Sequence, residues 1–299
     1  MSETIVRTGE LQLWTEDFGD PADPTVLLIV GADAQAVGWP DSLCHGLAAS
    51  GRHIIRYDHR NTGKSTLIDY DKNPYDCRDL ARDAVAVLDA YGVDAAHIVG
   101  GSMGGLIAQL LGLDHRERVR SLTLCSTSSS LVGIVPALRG ETSSFSPPPH
   151  AGYLAHMAEV AAELTASPPA TREQLIEARF RAYAPLAGSV HRDLEECRTV
   201  LTREYDRATN PWHPDASQLA IDATAAVGDL APRLRTLDAP TLVIHGTEDP
   251  IIPVGHGRAL AGSIPGATGL FIEGYGHVCP DATVIERLRA AIVEITGGV

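Results

Sequence analysis

The chain has 299 residues, a length that accommodates one large α/β domain with or without an inserted subdomain. Hydrophobic residues make up 44% of it and charged residues 21%, which is typical of a globular protein and excludes a disordered or fibrous one. The formal net charge of -14 argues against attraction to phosphate backbones and anionic lipid surfaces, so we expect neither a nucleic-acid nor a membrane partner.

The N-terminal sequence MSETIVRTGELQLW contains no basic segment followed by an apolar stretch, and no run reaches the roughly 20 apolar residues that a membrane helix needs. We therefore expect a cytoplasmic protein. The five cysteines are scattered without a close C-x-x-C pair, so we expect no zinc or redox site. The pattern predicts free buried thiols at Cys44, Cys77, Cys125, Cys197 and Cys279.

Strand and helix patterns alternate in the first third of the chain. Alternating apolar positions in LQLWTEDFGDPADP, followed by a Gly/Asp/Pro turn, predict an antiparallel hairpin edge. The continuous apolar run over 26–30 is typical of a parallel strand covered on both faces. This alternation indicates βαβ units in a mostly parallel, doubly wound sheet of the α/β class. The elements predicted next are a helix over 42–49, a strand over 53–57, a helix over 76–91 and a strand over 96–99.

The segment 127–237 interrupts this alternation. It begins with a Ser/Pro-rich connector ending in SFSPPPH and continues with helical patterns that have no convincing strand between them. Thr171 and Gln174 have the spacing of a capping box, which predicts a helix start at that point. We therefore expect an inserted helical cap.

Alternation returns after the insertion. Strands are predicted over 240–245 and 267–272, followed by an amphipathic helix over 282–295. The chain is thus expected to form an α/β core from residues 1–126 and 238–299, with residues 127–237 as the cap subdomain.

The sequence GGSMGG follows the predicted strand over 96–99 and precedes a helical pattern. A G-x-S-x-G sequence in this setting is typical of a nucleophile elbow, in which a sharp turn exposes the serine hydroxyl. We assign Ser102 as the nucleophile. Gly100 and Gly104 let the strand and helix pack closely, and the Met103 backbone N–H at the helix start is suited to stabilise an oxyanion.

A serine hydroxyl needs a base and a group that orients the base. His277, in EGYGH after the last predicted strand, is the candidate base; His245 is expected to pack beneath the acid loop instead. Asp249 and its neighbour Glu248 follow the strand over 240–245, and either carboxylate has the required chemistry. The chain order Ser, acid, His is the order of the α/β-hydrolase fold.

GGSMGG, IHGTEDPIIP and EGYGH together resemble the α/β-hydrolase superfamily, whose acid loop often has the pattern H-G-x-x-D-x-x-x-P. Asp249 and Pro253 occupy the Asp and Pro of that pattern, so the resemblance implies Asp249 as the acid. The segments LWTEDFGDPADP, GWPDSL and IRYDHRNTGKS resemble the aclacinomycin methylesterase group of polyketide-pathway hydrolases, which remove a methyl ester from a tetracyclic aglycone glycoside. Asp58 and Arg60 lie in the superfamily's D-x-R-x-x-G-x-S loop and are expected to pair.

Gly31, Ala32 and Asp33 follow the first core strand. The fold draws the second oxyanion donor from this loop, which assigns the Ala32 backbone N–H to that role provided that its φ is negative. Asp33 departs from the relatives, because many of them carry H-G or G-G here. A carboxylate beside an oxyanion repels the transition state unless it is paired or points away.

These residues predict a carboxylic ester hydrolase that works through an acyl-enzyme and needs no cofactor or metal. The expected substrate is a small apolar ester, with a polyketide methyl ester implied by the resemblance alone. Carbon–carbon bond hydrolases, lactonases and cofactor-free perhydrolases use the same residues, and a non-catalytic ligand receptor is a second alternative. The assembly is expected to be a monomer or homodimer. Candidates for lining the pocket from the cap are Tyr153, Met157, Phe180, Tyr183, Tyr205 and Trp212.

Overall fold

The computed structural model describes residues 2–139, 141–209, 224 and 226–297. Within these residues, eight strands form one sheet in the order β1-β2-β4-β3-β5-β6-β7-β8. β1 and β2 are antiparallel to each other, β2 is antiparallel to β4, and all other neighbours are parallel. The strands are β1 (Ser2–Thr8), β2 (Leu11–Phe18), β3 (Thr25–Ile29), β4 (His53–Tyr57), β5 (Ala96–Gly101), β6 (Val119–Cys125), β7 (Thr241–Gly246) and β8 (Thr268–Ile272).

Helices cover both faces of this sheet, and short 3-10 turns lie at Ala36–Gly38, Arg116–Arg118 and Ala184–Ala187. None of the described helices combines the length and apolar character needed to cross a membrane. The α-helices of the described residues are α1 (Asp41–Ala49), α2 (Cys77–Ala90), α3 (Met103–Asp114), α4 (Ile134–Leu138), α5 (Ala151–Ala166), α6 (Arg172–Tyr183), α7 (Leu194–Arg207), α8 (Ala231–Leu234), α9 (Val254–Ser263) and α10 (Ala282–Ile295).

The core is divided by the sheet into two apolar layers. In β3, Leu27 and Ile29 pack into the layer that contains α2, α3 and α9, whereas Val26 and Leu28 pack into the layer that contains α1 and α10. Side chains of a strand alternate between faces, so a strand covered on both sides is apolar at every position. The continuous apolar run at 26–30 therefore reflects burial on both faces, and the predicted doubly wound α/β fold is confirmed.

The predicted hairpin is present, but its partner differs from the expectation. β2 pairs with the preceding β1 through the turn at Gly9 and Glu10, with Ser2 opposite Asp17. The Gly/Asp/Pro turn that follows β2 leads instead into β3, which lies two places away in the sheet beyond β4. The alternating pattern identifies an edge strand, whereas the choice of neighbour depends on where the crossover connections place β4.

Between β6 and β7 the described residues form the helices α4 to α8 and no strand. Thr171 caps α6 as predicted: its side chain accepts from the Gln174 backbone N–H, and the Gln174 side chain accepts from the Thr171 N–H. Both ends of this segment also pack into the core, since Leu131 and Leu234 belong to the apolar layer of α3. The division into core and cap at 126/127 and 237/238 stays a prediction.

The expectation of five free thiols is wrong for two of them. Cys197 on α7 forms a disulfide with Cys279, and their Cα atoms are 5.3 Å apart, within the usual range for such a bond. The two residues are 82 positions apart in the chain, so spacing gives no sign of the pairing. Cys44, Cys77 and Cys125 are free and buried. Burial raises the pKa of the Cys44 and Cys125 thiols to about 12, which makes them unreactive.

Reducing the Cys197–Cys279 bond is expected to lower the free energy of unfolding by about 2–4 kcal/mol, because the bond closes a long loop in the unfolded chain. Thermal unfolding with and without reductant, with thiols counted by alkylation, measures this. The melting temperature of the Cys197→Ser/Cys279→Ser double variant serves as the control and should not respond to reductant. An unchanged melting temperature in wild-type protein whose bond has been shown to be reduced would contradict the prediction.

Candidate active site

Ser102 lies in the sharp turn between β5 and α3 with φ of 54° and ψ of −120°. A positive φ is uncommon for a residue with a side chain, and here it exposes the hydroxyl at the carboxyl end of the parallel strands. The end of β6 and the loop after it hold this conformation: the Ser102 N–H donates to the Cys125 carbonyl at 2.9 Å, and the Thr127 hydroxyl donates to the Ser102 carbonyl at 2.7 Å. The turn has the geometry expected of a nucleophile elbow.

Glycines around the turn permit a backbone approach that any side chain would block. A Cβ on Gly100 would lie 2.2 Å from the Gly104 carbonyl oxygen, and one on Gly104 would lie 2.2 Å from the Ile29 carbonyl oxygen. Gly31 faces the serine, since a Cβ there would lie 3.7 Å from Ser102 Oγ. The loop that follows β3 is thereby placed directly beside the hydroxyl.

His277 and Asp249 are brought together after β8 and β7. His277 Nδ1 and Asp249 Oδ2 are 2.6 Å apart, and the aspartate is fully buried. The other carboxylate oxygen accepts from the backbone N–H groups of Ile251 and Ile252 at 3.1 and 2.9 Å. An imidazole whose Nδ1–H donates to a carboxylate leaves Nε2 free to accept a proton.

The charge state of Asp249 follows from its surroundings. Burial by itself would raise the pKa of this carboxyl, but the charge of His277 and hydrogen bonds from His245 and His277 hold it well below its usual range. His245 Nε2 lies 3.3 Å from Asp249 Oδ2 and 2.7 Å from the Ile252 carbonyl oxygen. His245 thus packs beneath the acid loop, as the sequence predicted, and Asp249 remains an anion that can orient the His277 ring.

Glu248 points away from this pair. Its carboxylate accepts from the Ser189 backbone N–H at 2.7 Å and from the Ser189 hydroxyl at 2.8 Å, in the segment between α6 and α7. The same segment contacts the histidine loop, because the His277 N–H donates to the Leu186 carbonyl at 2.6 Å. Of the two neighbouring acids, the structure therefore places Asp249 against His277 and Glu248 against the inserted segment.

The loop after β3 is held by a partner that sequence reasoning missed. Ala32 keeps a negative φ, as required of a backbone donor, whereas Asp33 has φ of 60°. The Asp33 carboxylate forms an ion pair with Arg179 Nη1 on α6, and Arg179 Nη2 donates to the Asp33 carbonyl at 2.6 Å. The carboxylate is therefore paired. Helical periodicity gave no sign of this, because Arg179 occupies one of many charged positions in α6.

The expected pairing of Asp58 with Arg60 is wrong. Asp58 is fully buried and pairs with Arg207 on α7, while its carboxylate also accepts from the Ala36 N–H at 2.9 Å. Arg60 instead forms two hydrogen bonds to Asp83 on α2, at 2.7 and 2.6 Å. The two residues lie close in the chain, but their side chains turn toward different elements, so each finds its own partner.

Two of the predicted cap residues have phenol groups with raised pKa values. Burial and the charge of Asp249 raise the pKa of Tyr153 to about 12. Burial also raises the pKa of Tyr183, whose environment includes Arg179 and the Tyr153 phenol. Met157 is partly buried on the same helix as Tyr153. The influence of Asp249 on Tyr153 favours a place for this side chain close to the acid loop.

Two other predicted cap residues contact arginines of the inserted segment. Arg198 Cζ lies 3.8 Å from the centroid of the Phe180 ring, and Arg172 Cζ lies 5.8 Å from that of Tyr205. Both arginines are partly exposed. These contacts favour a packing role for both rings. Trp212 lies outside the described residues.

Comparison with known proteins shows which family the chain resembles. Residues 24–280 match the alpha/beta hydrolase fold family. The chain is 39% identical over 298 residues to rhodomycin D methylesterase DauP of Streptomyces sp. (strain C5), a match that covers 98% of this chain and 97% of that protein. Rhodomycin D methylesterase DnrP of Streptomyces peucetius is 38% identical over the same coverage. The solved 2-hydroxy-6-oxo-6-phenylhexa-2,4-dienoate hydrolase of Rhodococcus sp. strain RHA1 shares the fold, with a TM-score of 0.73, 19% identity and 98% coverage of each chain.

The chain belongs to the α/β hydrolase family. With methylesterases matching nearly its whole length, it is a carboxylic ester hydrolase of the serine hydrolase class. The resemblances to the superfamily and to the polyketide methylesterase group are both confirmed.

Proposed function

We propose that the chain hydrolyses the methyl ester of a polycyclic polyketide through a catalytic triad of Ser102, His277 and Asp249. The observation that carries this proposal is the contact of 2.6 Å between His277 Nδ1 and Asp249 Oδ2, on loops at the same sheet edge as the elbow that holds Ser102. The two relatives named as rhodomycin D methylesterases support the methyl ester and the polyketide class of the substrate.

In the first half of the proposed reaction, Ser102 Oγ attacks the ester carbonyl while His277 Nε2 takes the hydroxyl proton. The buried anion of Asp249 stabilises the imidazolium that forms. The backbone N–H groups of Ala32 and Met103 stabilise the oxyanion, with support from the N-terminus of α3. Collapse of the tetrahedral intermediate breaks the bond to methoxide, which leaves as methanol with the proton from His277.

In the second half, a water molecule gives a proton to His277 Nε2 and attacks the acyl-enzyme carbonyl. The resulting intermediate breaks the bond to Ser102 Oγ, which recovers its proton from His277. The products are a free carboxylic acid and regenerated enzyme. The two half-reactions together consume one water molecule and include no redox step. The residues named above therefore supply all the groups that the reaction requires.

The proposal is tested by labelling with a fluorophosphonate and then assaying esters, lactones, thioesters and a carbon–carbon cleavage substrate in parallel. Labelling at Ser102 and release of methanol from a polycyclic methyl ester are the expected results. Faster turnover of a lactone or of the carbon–carbon substrate would replace the methylesterase assignment with one of those activities. Lack of both labelling and turnover would favour a non-catalytic receptor.

Truncation of Tyr153 to Ala is expected to raise KM for a bulky methyl ester by about 10-fold to 100-fold, with little change for p-nitrophenyl acetate. Pockets lined by apolar and aromatic side chains hold large substrates through contact area, and a short ester makes little use of that area. Phe180→Ala is the matched control, because its ring packs against Arg198. Equal losses on both substrates in the Tyr153 variant would contradict a role in binding.

We propose that the enzyme acts in the cytoplasm, as a monomer or homodimer, on a small molecule and without a nucleic-acid or membrane partner. The absence of charge attraction to phosphate follows from the net charge of -14. Sedimentation of the purified protein distinguishes the two assembly states.

A further inference from the structure

Two helices of the inserted segment hold the loop that follows β3. Arg179 on α6 contacts Asp33 twice, through the ion pair with the carboxylate and through the hydrogen bond of 2.6 Å to the carbonyl. Arg179 Nη2 also donates to the Tyr183 hydroxyl at 3.1 Å. Both members of the ion pair have side chains that are less than a quarter exposed. A pair of this kind is screened less by water than the surface pairs of the same helix.

Glu204 on α7 contacts the next part of the loop. Its carboxylate accepts from the Gln35 N–H at 2.9 Å, and the Gln35 side chain donates to the Glu204 carbonyl at 2.8 Å. The Gln35 side-chain oxygen in turn accepts from Arg207, which pairs with the buried Asp58. Glu204 is 7% exposed, and burial raises its pKa to about 7. The loop from Gly31 to Gln35 is thus attached to α6 at Asp33 and to α7 at Gln35.

We propose that Arg179 is a positioning residue for the oxyanion hole. Arg179 holds the Asp33 backbone and neutralises the Asp33 carboxylate, so that the Ala32 N–H stays directed at the developing oxyanion. This inference rests on the proposed function. Asp33 has a positive φ, which is uncommon for residues other than glycine, and its contacts with Arg179 help to maintain it. Gly31 lies against Ser102, so a shift of this loop moves the donor relative to the reacting carbonyl.

Arg179 is expected to act in two separable ways. Its two-point contact restrains the loop, and its positive charge compensates the negative charge of the Asp33 carboxylate, which would disfavour a developing oxyanion. Lysine at position 179 keeps the charge but loses the planar group that reaches both Asp33 atoms. Arg179→Lys should therefore retain more activity than Arg179→Met, and both should be less active than wild type.

The test compares Arg179→Met and Arg179→Lys with Arg181→Met, using p-nitrophenyl acetate and a bulky methyl ester. Arg181 lies on the same helix and pairs with Glu163 on α5, with both side chains exposed, so it is a matched control. We expect kcat of Arg179→Met to fall by about 10-fold to 100-fold on both esters with KM within a factor of about three, because an oxyanion donor serves every ester alike. The control should stay within about twofold of wild type.

A second readout separates positioning from general loosening of the fold. A trifluoromethyl ketone forms a tetrahedral adduct with the serine and needs the oxyanion donors, whereas a methyl ether analogue of the substrate has no carbonyl oxygen and does not. Across the two Arg179 variants, affinity for the ketone should fall in parallel with kcat/KM, while affinity for the ether stays near the wild-type value. If Arg179→Met does not fold, Arg179→Lys is compared with wild type by the same two measurements.

The outcomes are distinct. Wild-type kcat in folded Arg179→Lys and Arg179→Met, or a loss confined to KM of the bulky ester, would overturn the positioning role while leaving the esterase function intact. A wild-type enzyme that hydrolyses no ester would overturn the proposed function and this inference with it. Parallel losses of kcat/KM and of ketone affinity, with an unaffected Arg181→Met variant, would support the assignment.

Discussion

Ser102→Ala is expected to lower ester hydrolysis by about 10³-fold or more, with the melting temperature changed by no more than a few degrees. The hydroxyl supplies the attacking oxygen, whereas the strained turn depends on backbone contacts with Cys125 and Thr127 that alanine preserves. Steady-state assays on a methyl ester and on p-nitrophenyl acetate measure the loss, and thermal unfolding measures the stability. Both substrates should be affected alike.

The variant also gives a check that does not depend on the choice of substrate. Fluorophosphonate labelling should disappear in Ser102→Ala and persist in Ser126→Ala, which changes another serine with positive φ at the end of a neighbouring strand. Turnover like that of wild type in Ser102→Ala, after contaminating esterases have been excluded by repeat purification, would refute the nucleophile assignment.

The second large effect is expected at the acid. Asp249→Asn should lower kcat by about 10³-fold to 10⁴-fold, because an amide in place of the carboxylate favours the wrong tautomer of the His277 ring and removes the charge that stabilises the imidazolium. The contact at risk is the one of 2.6 Å between His277 Nδ1 and Asp249 Oδ2.

Glu248→Gln is the matched comparison for this prediction. The two acids are adjacent in the chain, but Glu248 accepts from Ser189 and, among the described residues, forms no hydrogen bond or ion pair with His277. Its neutralisation should reduce turnover by no more than about 10-fold, through weaker attachment of the inserted segment. If Glu248→Gln were more defective than Asp249→Asn, Glu248 would be the catalytic acid in place of Asp249.

Local patterns in the sequence were sufficient for six of the eight described strands, the capping box and the elbow, whereas β1 and β6 were not predicted. Each of these features depends on residues that lie within a few positions of one another: the apolar run over 26–30, the Thr171–Gln174 spacing and GGSMGG. Short-range backbone preferences determine such features, so they can be recognised without knowledge of the rest of the fold. The family resemblance also identified Asp249 as the acid, whereas composition and spacing alone did not distinguish it from Glu248.

Contacts between distant parts of the chain could not be predicted in this way. The partner of β2, the Cys197–Cys279 bond and the separate partners of Asp58 and Arg60 all differ from the expectations. In each case several partners were chemically equivalent in the sequence. The choice among them depends on which side chains the packed helices and strands bring within a few ångströms.

The sequence by itself determined the α/β class, the elbow at Ser102 and the presence of an acid and a histidine in the order that the fold requires, because each is encoded by a local pattern. The tertiary structure alone decided that Asp33 is paired with Arg179 and that Glu248 is directed to Ser189 instead of His277. Arg179 and Asp33 are 146 positions apart. A charge in a helical pattern is equally compatible with solvent and with a buried partner, and only the packing of α6 against the loop after β3 distinguishes them.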